Sequence, residues 1–376
     1  MPPIHLQQPL KDVFWVSDNI TCPLGFDSEE CFSNIKQKKS SVKLHPSLSL
    51  PGKQFFASLF DENQLNQLNN ISGNSLFERI AIKSISKTLE HYPSIDFNDT
   101  ILILPTTKGN ITSIENGNYT PLSKSAEEIN RFFKLKHRPI VLSNACISGV
   151  AALITAKRLL AQGVYSNAIV CGADIITSFV AKGFQSLHAT ANEHCKPYDK
   201  DRTGINLGEA AASVLLSSSI NSKIKVLDGA LTNDANHISG PSKTGEELAH
   251  AITQTMSSSS LSIEDIAFIA AHGTATMYND EMESKAFEKA GFSATEVYSL
   301  KPHFGHSLGA AGVIETIVAV KSIEEGVILP NLNFENSGVS GNIKVANSLA
   351  STTKKAFLKT ASGFGGCNAS LAICKV

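Results

Sequence analysis

The chain has 376 residues, 42% of them hydrophobic and 18% charged, a balance that excludes a disordered or low-complexity protein and leaves room for a large buried core. Its formal net charge of −1 excludes a global attraction to nucleic acid or to an anionic membrane surface. Seven cysteines (Cys22, Cys31, Cys146, Cys171, Cys195, Cys367 and Cys374) include no Cys-x-x-Cys pair, which argues against a zinc site or redox dithiol and leads us to expect no bound metal.

An odd, scattered set of cysteines fits a reducing compartment better than a disulfide framework. The opening Met1-Pro-Pro-Ile-His-Leu-Gln7 has no basic segment followed by an apolar one. No apolar run reaches the roughly 20 residues that span a bilayer. The expectation is a cytoplasmic protein without a membrane span.

Along the chain, short β-branched runs alternate with helical patterns. The first part predicts strands at Val13–Val16, Ile101–Leu104, Ile140–Leu142, Ala168–Cys171 and Ala212–Leu216. The second part predicts strands at Ile224–Leu227, Ile266–Ala270, Val297–Leu300, Phe357–Thr360 and Leu371–Val376. Ser75–Leu89 reads as an amphipathic helix, while Ser148–Gln162 and Ala310–Ile323 are apolar on most faces and read as buried ones. The serine run Ser257–Ser260 reads as a polar loop leading to a cap before Ile263. Alternation of this kind predicts an α/β fold with parallel or mixed sheets. The serine-rich Ser217–Ser222 divides the chain into halves of comparable strand count, 1–220 and 221–376.

Three turns carry chemistry. Ile140–Leu142 gives way to Ser143-Asn-Ala-Cys-Ile-Ser-Gly149 and then to a helix, so Cys146 stands where free backbone N–H groups and a helix N-terminus favour thiolate and can hold an oxyanion. A buried structural cysteine remains the alternative. His272, in Ala270-Ala-His-Gly-Thr-Ala-Thr276, and His306, in Lys301-Pro-His-Phe-Gly-His306, each follow a predicted strand, the end of an α/β strand where sites are built. His306 also opens a helix, which disfavours imidazolium and predicts a neutral hydrogen-bond donor. The small residues Gly309, Ala310, Ala311 and Gly312 let that helix approach a neighbour closely. His188, His194, His237 and His303 read as structural or solvated.

At these residues the chain resembles the β-ketoacyl-acyl-carrier-protein synthases of the thiolase superfamily. Ala145-Cys-Ile-Ser-Gly149 is similar to the family's nucleophile motif, and His272 to Asp280 is similar to its His-Gly-Thr-x-Thr-x-x-x-Asp block. Lys301 to Gly312 and Gly363 to Asn368 resemble the second histidine motif and the glycine-rich turn, while Lys196–Gly204 with Gly208-Glu-Ala and Pro23-Leu-Gly25 add weaker matches. The resemblance implies a thiolase-like fold, two duplicated α/β halves giving five layers, α-β-α-β-α. It implies that Cys146 takes an acyl group, that backbone N–H groups of Cys146 and Phe364 form the oxyanion hole, and that Phe364 gates the acyl pocket. His272 and His306 would stabilise the enolate left by decarboxylation of a malonyl thioester, with Lys301 adding positive charge. Thr274 and Thr276 would contact the carrier's pantetheine arm, Ile147 would border the acyl pocket, and Asp280 and Glu315 would support the site. No cofactor is expected, because substrates ride on the phosphopantetheine of acyl carrier protein. A homodimer is implied, or a heterodimer with a chain-length-factor-like subunit.

Acidic carriers need basic docking groups. Arg131, Lys134, Lys136 and Arg138 form a cluster before the nucleophile strand, Lys36, Lys38 and Lys39 form another, and Arg202 matches a position near the pantetheine entrance. The chain also departs from the family pattern. The stretch Pro105–Tyr119 lacks the expected glycine-rich signature, Asn144 and Cys367 stand where threonine is usual, and Ile147 stands where a small residue is common. These departures open a specialised pathway, of polyketide or aryl-polyene type, beside fatty-acid synthesis. The rivals are a non-catalytic chain-length-factor-like subunit, a coenzyme-A-dependent thiolase that would use Cys367 as a second thiol, and a decarboxylase that condenses poorly.

Overall fold

A computed structural model describes residues 10–118, 120–235 and 240–376. The opening heptapeptide, Tyr119 and His237 lie outside the described residues.

Among the described residues, eleven strands form one continuous sheet. One wing contains β1 (Val13–Thr21), β2 (Thr100–Pro105), β3 (Ile140–Leu142), β4 (Asn167–Asp174) and β5 (Ala210–Ser217), in the order β3-β2-β4-β5-β1. The other contains β6 (Ile224–Asn233), β7 (Ile266–Ala270), β8 (Glu296–Tyr298), β9 (Lys344–Val345), β10 (Ala356–Gly363) and β11 (Cys367–Lys375), in the order β9-β8-β7-β10-β11-β6. Leaving out the edge strand β9, the wings share one topology. In each, the first three strands in spatial order are parallel and the next two pair antiparallel. Among the described residues, the strand pairs Val13↔Val226 and Phe14↔Lys225 make the sheet continuous across the wings.

Side-chain alternation explains the layering. On β2, Ile101 and Ile103 enter the core between the wings, while Leu102 and Leu104 enter an outer core. On β4, Ala168 and Val170 face inward and Ile169 and Cys171 outward. A strand covered on both faces needs a continuous apolar run, and these strands have one. Helices α1 (Leu76–Leu89) and α2 (Leu122–Phe132) cover the outer face of the first wing; α3 (Ser148–Ala161) lies between the wings; α4 (Ser178–Ser186) flanks the first wing. Helices α5 (Glu246–Ser259) and α6 (Met277–Lys289) cover the second wing. The short α7 (Lys301–Phe304) leads to α8 (Ala311–Glu325), which packs beside α3 between the wings. The result is helix, sheet, helix, sheet, helix.

The serine run differs from its sequence reading. Ser257–Ser259 complete α5 and are not a loop. Leu248, Ala251, Ile252, Thr255 and Met256 repeat at helical spacing and are buried, so tertiary packing outweighs the poor helix propensity of serine. The chain leaves the helix at Ser260, with φ 54°, and Ser262 then caps a short turn at Ile263–Asp265. The strand expected at Val297–Leu300 ends at Tyr298, because Leu300 already caps α7.

The two central helices touch backbone to backbone. A Cβ on Gly149 would lie 2.8 Å from the Val313 nitrogen, and one on Gly312 would lie 2.7 Å from the Val150 nitrogen. Only glycine permits this approach. It matters because the turns before these two helices carry Cys146 and His306.

Candidate active site

Cys146 stands on a strained turn between β3 and α3. Ala145 has φ 45°, a left-handed conformation that costs a non-glycine residue energy and is concentrated at functional sites. The Ser148 hydroxyl holds the turn: it accepts from the Asn144 N–H at 2.8 Å and donates to the Ala145 carbonyl at 2.7 Å. From the other wing, Gly363 reaches this turn, and a Cβ there would lie 3.0 Å from the Cys146 nitrogen. The end of β10, at Gly363, therefore sits against the cysteine's backbone.

His306 meets Cys146 directly. Its Nε2 lies 3.0 Å from Sγ. The His306 N–H donates to the Asn206 carbonyl at 2.7 Å, and its own carbonyl accepts from the Gly208 N–H at 3.0 Å. Gly305 before it has φ 69°, and a Cβ there would fall 2.2 Å from the Leu207 carbonyl oxygen. Asp174, at the end of β4, accepts from the Gly309 N–H at 2.7 Å and fixes the far side of the loop.

His272 follows β7 and faces His306 edge-on, with ring centroids 5.1 Å apart and an interplanar angle of 84°. Its loop is built around two buried carboxylates. Glu283 accepts from the His272 and Gly273 N–H groups at 2.9 and 2.7 Å. Asp280 accepts from the N–H groups of Tyr198 at 2.7 Å, Thr274 at 2.9 Å and Ala275 at 3.2 Å. Burial raises the pKa of both, and brings Glu283 to about 7.

Lys301 is fully buried. Its Nζ lies 3.2 Å from Nδ1 of His272 and 2.7 Å from Glu315, whose other oxygen lies 2.7 Å from buried Lys359. An ammonium can only donate, so Nδ1 of His272 accepts and the ring's proton sits on Nε2. Two lysines against one glutamate leave a net positive charge. Burial first, and then the charge of Lys301, hold both imidazoles well below the usual histidine pKa. Both rings are neutral at pH 7.

The sequence reading of Cys146 needs one correction. Its position before a helix suggested a favoured thiolate, yet burial pushes the thiol up to about 12, with Lys301 only partly offsetting this. Loss of water around a buried anion outweighs the helix terminus. The resting group is a thiol, 3.0 Å from a neutral imidazole nitrogen.

One donor atom from each of Cys146, His272 and His306 lies within 4.8 Å of the others. That spacing admits a metal ion, but the chemistry opposes it. Lys301 occupies Nδ1 of His272, so Nε2 keeps its proton and offers no lone pair, and the buried lysines add positive charge.

The three residues face one cavity of about 420 Å³. Thr274 and Thr276 line it with their hydroxyls 2.8 Å apart. Phe364, 42% exposed, stands at its rim against Phe184. His188 lines the cavity too, which its reading as a solvated histidine did not foresee. His303 is buried with Nδ1 2.7 Å from the Lys39 carbonyl, and His194 packs tilted against Phe56, with ring centroids 5.5 Å apart. Ile147 does not line this cavity; its side chain is buried in the core between the wings.

Arg202 cannot serve in docking. It is 4% exposed, and its guanidinium donates to the carbonyls of Asp199, Gly338 and Met277, with Asp280 4.0 Å away. Arg131, Lys134, Lys136 and Arg138 are exposed, and Arg138 lies 3.7 Å from Glu127. No helix among the described residues is long and apolar enough to cross a membrane. Sequence reasoning missed Lys359, Glu283 and Asp174. Lys359 left a signal, a lysine inside the apolar strand Phe357-Leu-Lys-Thr-Ala361, because a charge there needs a buried partner.

Comparison with known proteins agrees with this geometry. Family models described as the N-terminal and C-terminal domains of beta-ketoacyl synthase match residues 109–220 and 224–335. A 3-oxoacyl-[acyl-carrier-protein] synthase 2 of Rhizobium meliloti (strain 1021) is 30% identical over 299 residues, covering 70% of this chain and 71% of that protein. One of the same name from Mycobacterium leprae (strain TN) is 31% identical over 246 residues, covering 61% of this chain and only 59% of its own length. A solved ketosynthase (ApeO) in complex with its chain length factor (ApeC) from Xenorhabdus doucetiae superposes with a TM-score of 0.87 at 23% identity, covering 97% of this chain and 98% of that one.

Proposed function

The chain belongs to the β-ketoacyl synthase family, and from that premise we propose that it is a catalytic β-ketoacyl-acyl-carrier-protein synthase. It would join an acyl thioester to malonyl carrier protein with loss of carbon dioxide, in fatty-acid synthesis or a polyketide or aryl-polyene type pathway. The observation that carries this reading is the Cys146 Sγ, 3.0 Å from Nε2 of a neutral His306, on a cavity shared with a His272 whose Nε2 bears the proton.

The chemistry follows from these groups. An acyl thioester enters the cavity, and Sγ attacks its carbonyl as the thiol proton moves to Nε2 of His306. The N–H groups of Cys146 and Phe364 receive the oxyanion. Collapse expels the pantetheine thiolate, which takes the proton back from His306. Malonyl carrier then binds with its arm along Thr274 and Thr276. Its carboxylate leaves as carbon dioxide, and the bonding electrons form an enolate whose oxygen accepts from Nε2–H of His272. Nδ1 of His306 has no hydrogen-bond partner among the described residues. Nδ1 thus keeps its proton, Nε2 of His306 serves as the acceptor for the thiol proton, and the enolate oxygen is held by His272. The enolate carbon attacks the acyl carbonyl, the carbon–carbon bond forms, and Cys146 leaves as a thiolate that takes up a proton from solvent and returns to the thiol. Lys301, held by Glu315, fixes the His272 tautomer and favours negative charge on the enolate. The pantetheine arm belongs to the substrate, so no resident cofactor is needed.

The exposed cluster of Arg131, Lys134, Lys136 and Arg138 suits an acidic carrier, and a homodimer or a pairing with a chain-length-factor-like subunit suits the family. The rivals have less support. A purely structural subunit has no use for a buried lysine that sets the tautomer of His272. A thiolase needs a second reactive thiol, whereas the hydrogen-bond partners of the Cys367 thiol among the described residues are the backbone carbonyls of Phe364 at 3.4 Å and Asn144 at 3.8 Å, which cannot take its proton as His306 can take that of Cys146. Carbon dioxide release from malonyl carrier tests the reading: wild type should release it, and His272→Ala should lose at least about a hundredfold. Equal rates would sink the assignment.

A further inference from the structure

His188 and Cys146 line the same cavity. His188 is exposed and Cys146 is buried, so the histidine stands at the mouth and the nucleophile at the base. His188 has φ 54°, a left-handed conformation that costs a non-glycine residue energy. The carbonyl of Gln185, at the end of α4, holds the arrangement: it accepts from the His188 N–H at 3.1 Å and from the Lys53 ammonium at 2.9 Å. Gln185 is fully buried, and its side chain clamps the segment that carries Lys53. Its Oε1 accepts from the Leu50 N–H at 2.9 Å, and its amide donates to the Gln54 carbonyl at 3.4 Å. Lys53 is thereby brought to 3.3 Å from Nδ1 of His188. An ammonium can only donate, so Nδ1 accepts and the ring keeps a proton on Nε2. Among the described residues Lys53 meets no carboxylate. The cavity mouth thus carries an uncompensated cation beside an N–H donor.

We propose that Lys53 and His188 form a phosphate subsite, which receives the phosphate of a phosphopantetheine arm whose thioester end lies at Cys146. This rests on the synthase reading above. Such an arm carries its sulfur at one end and its phosphate at the other, and Thr274 and Thr276 line the cavity that it would thread. A phosphate supplies the negative charge and acceptor oxygens that the pair lacks. Hydrogen bonds between ionised partners are about twice as strong as neutral ones. The same phosphate occurs in the phosphodiester of an acyl carrier and in coenzyme A, so the subsite recognises the arm and not the acyl chain.

The test uses full-length protein and four hexanoyl thioesters, those of pantetheine, phosphopantetheine, acyl carrier protein and coenzyme A. Acylation of Cys146 is followed by intact mass for wild type, Lys53→Met, Lys53→Arg and His188→Leu. Wild type should load about tenfold faster from phosphopantetheine than from pantetheine. Lys53→Met should bring that ratio close to one, His188→Leu should lower it, and Lys53→Arg should keep it. Partial unfolding lowers both rates alike and leaves their ratio untouched. Of the carrier and coenzyme A, the one whose loading falls further in Lys53→Met is the source of the phosphate. A wild-type ratio near one, or a ratio that Lys53→Met leaves unchanged, overturns the proposal and makes Lys53 a brace for the end of α4. Failure of wild type to load from any of the four would instead overturn the synthase reading.

Discussion

Nζ of Lys301 lies 3.2 Å from Nδ1 of His272, and this contact decides which nitrogen of the ring carries the proton. Replacing Lys301 with methionine removes the donor and frees the other tautomer. The buried Glu315 keeps Lys359 at 2.7 Å, so the variant should fold. Malonyl decarboxylation should fall by about a hundredfold or more. Lys301 is also the largest cause after burial that lowers His272. Its loss should therefore raise the imidazole pKa, read by NMR titration and by an acid limb of the rate profile displaced to higher pH.

The state of Cys146 gives a second test. A thiol pushed up to about 12 by burial exposes little thiolate at neutral pH. Its alkylation by iodoacetamide should climb about tenfold per pH unit from 7 to 10 without levelling near the ordinary value of roughly 8.5. His306→Ala should slow alkylation at pH 7 by removing the nitrogen 3.0 Å from Sγ. A plateau below pH 8 would contradict this.

The contact between α3 and α8 links packing to chemistry. Gly312→Ala sets a methyl group 2.7 Å from the Val150 nitrogen, and backbone cannot yield as a side-chain tip can. Overpacking of this kind costs about 1–3 kcal/mol, measurable by urea unfolding. The forced separation also moves the two turns apart. The turnover number should drop more than KM rises, because the change reaches the Cys146–His306 distance and not the cavity mouth.

His303 offers a pH test away from the chemistry. Burial holds its pKa at about 4, below the roughly 6.5 of an unfolded histidine. The depressed group contributes stability that is present above pH 6.5 and is lost as pH falls toward 4, because the unfolded chain takes up the proton first. Between pH 8 and pH 5 this loss is about 2 kcal/mol. His303→Gln should show a pH dependence of unfolding smaller by that amount. Identical pH dependence in both proteins would contradict the burial of a neutral ring.

Much of this was legible in the sequence. The apolar runs marked the sheet because a strand covered on both faces must be apolar throughout, and the small residues Gly309–Gly312 foretold a close helix contact. The site's Cys146, His272 and His306 stood out by their turns. What was hidden depends on three-dimensional closure. Nothing in local spacing shows that Lys359 meets Glu315, that Asp174 reaches Gly309 across 135 residues, or that Arg202 is turned inward. The thiol state of Cys146 was misread because helix position is visible in sequence and burial by the opposite wing is not.

The central claim is that Cys146 carries the acyl group during a condensation. Intact-mass analysis of the full chain with an acyl carrier, followed by malonyl carrier, tests it most directly. The account predicts an acyl adduct on wild type that Cys146→Ala lacks, and its discharge by malonyl carrier as a 3-ketoacyl product. An adduct that survives in Cys146→Ala, or a wild type that no acyl carrier loads, would contradict it.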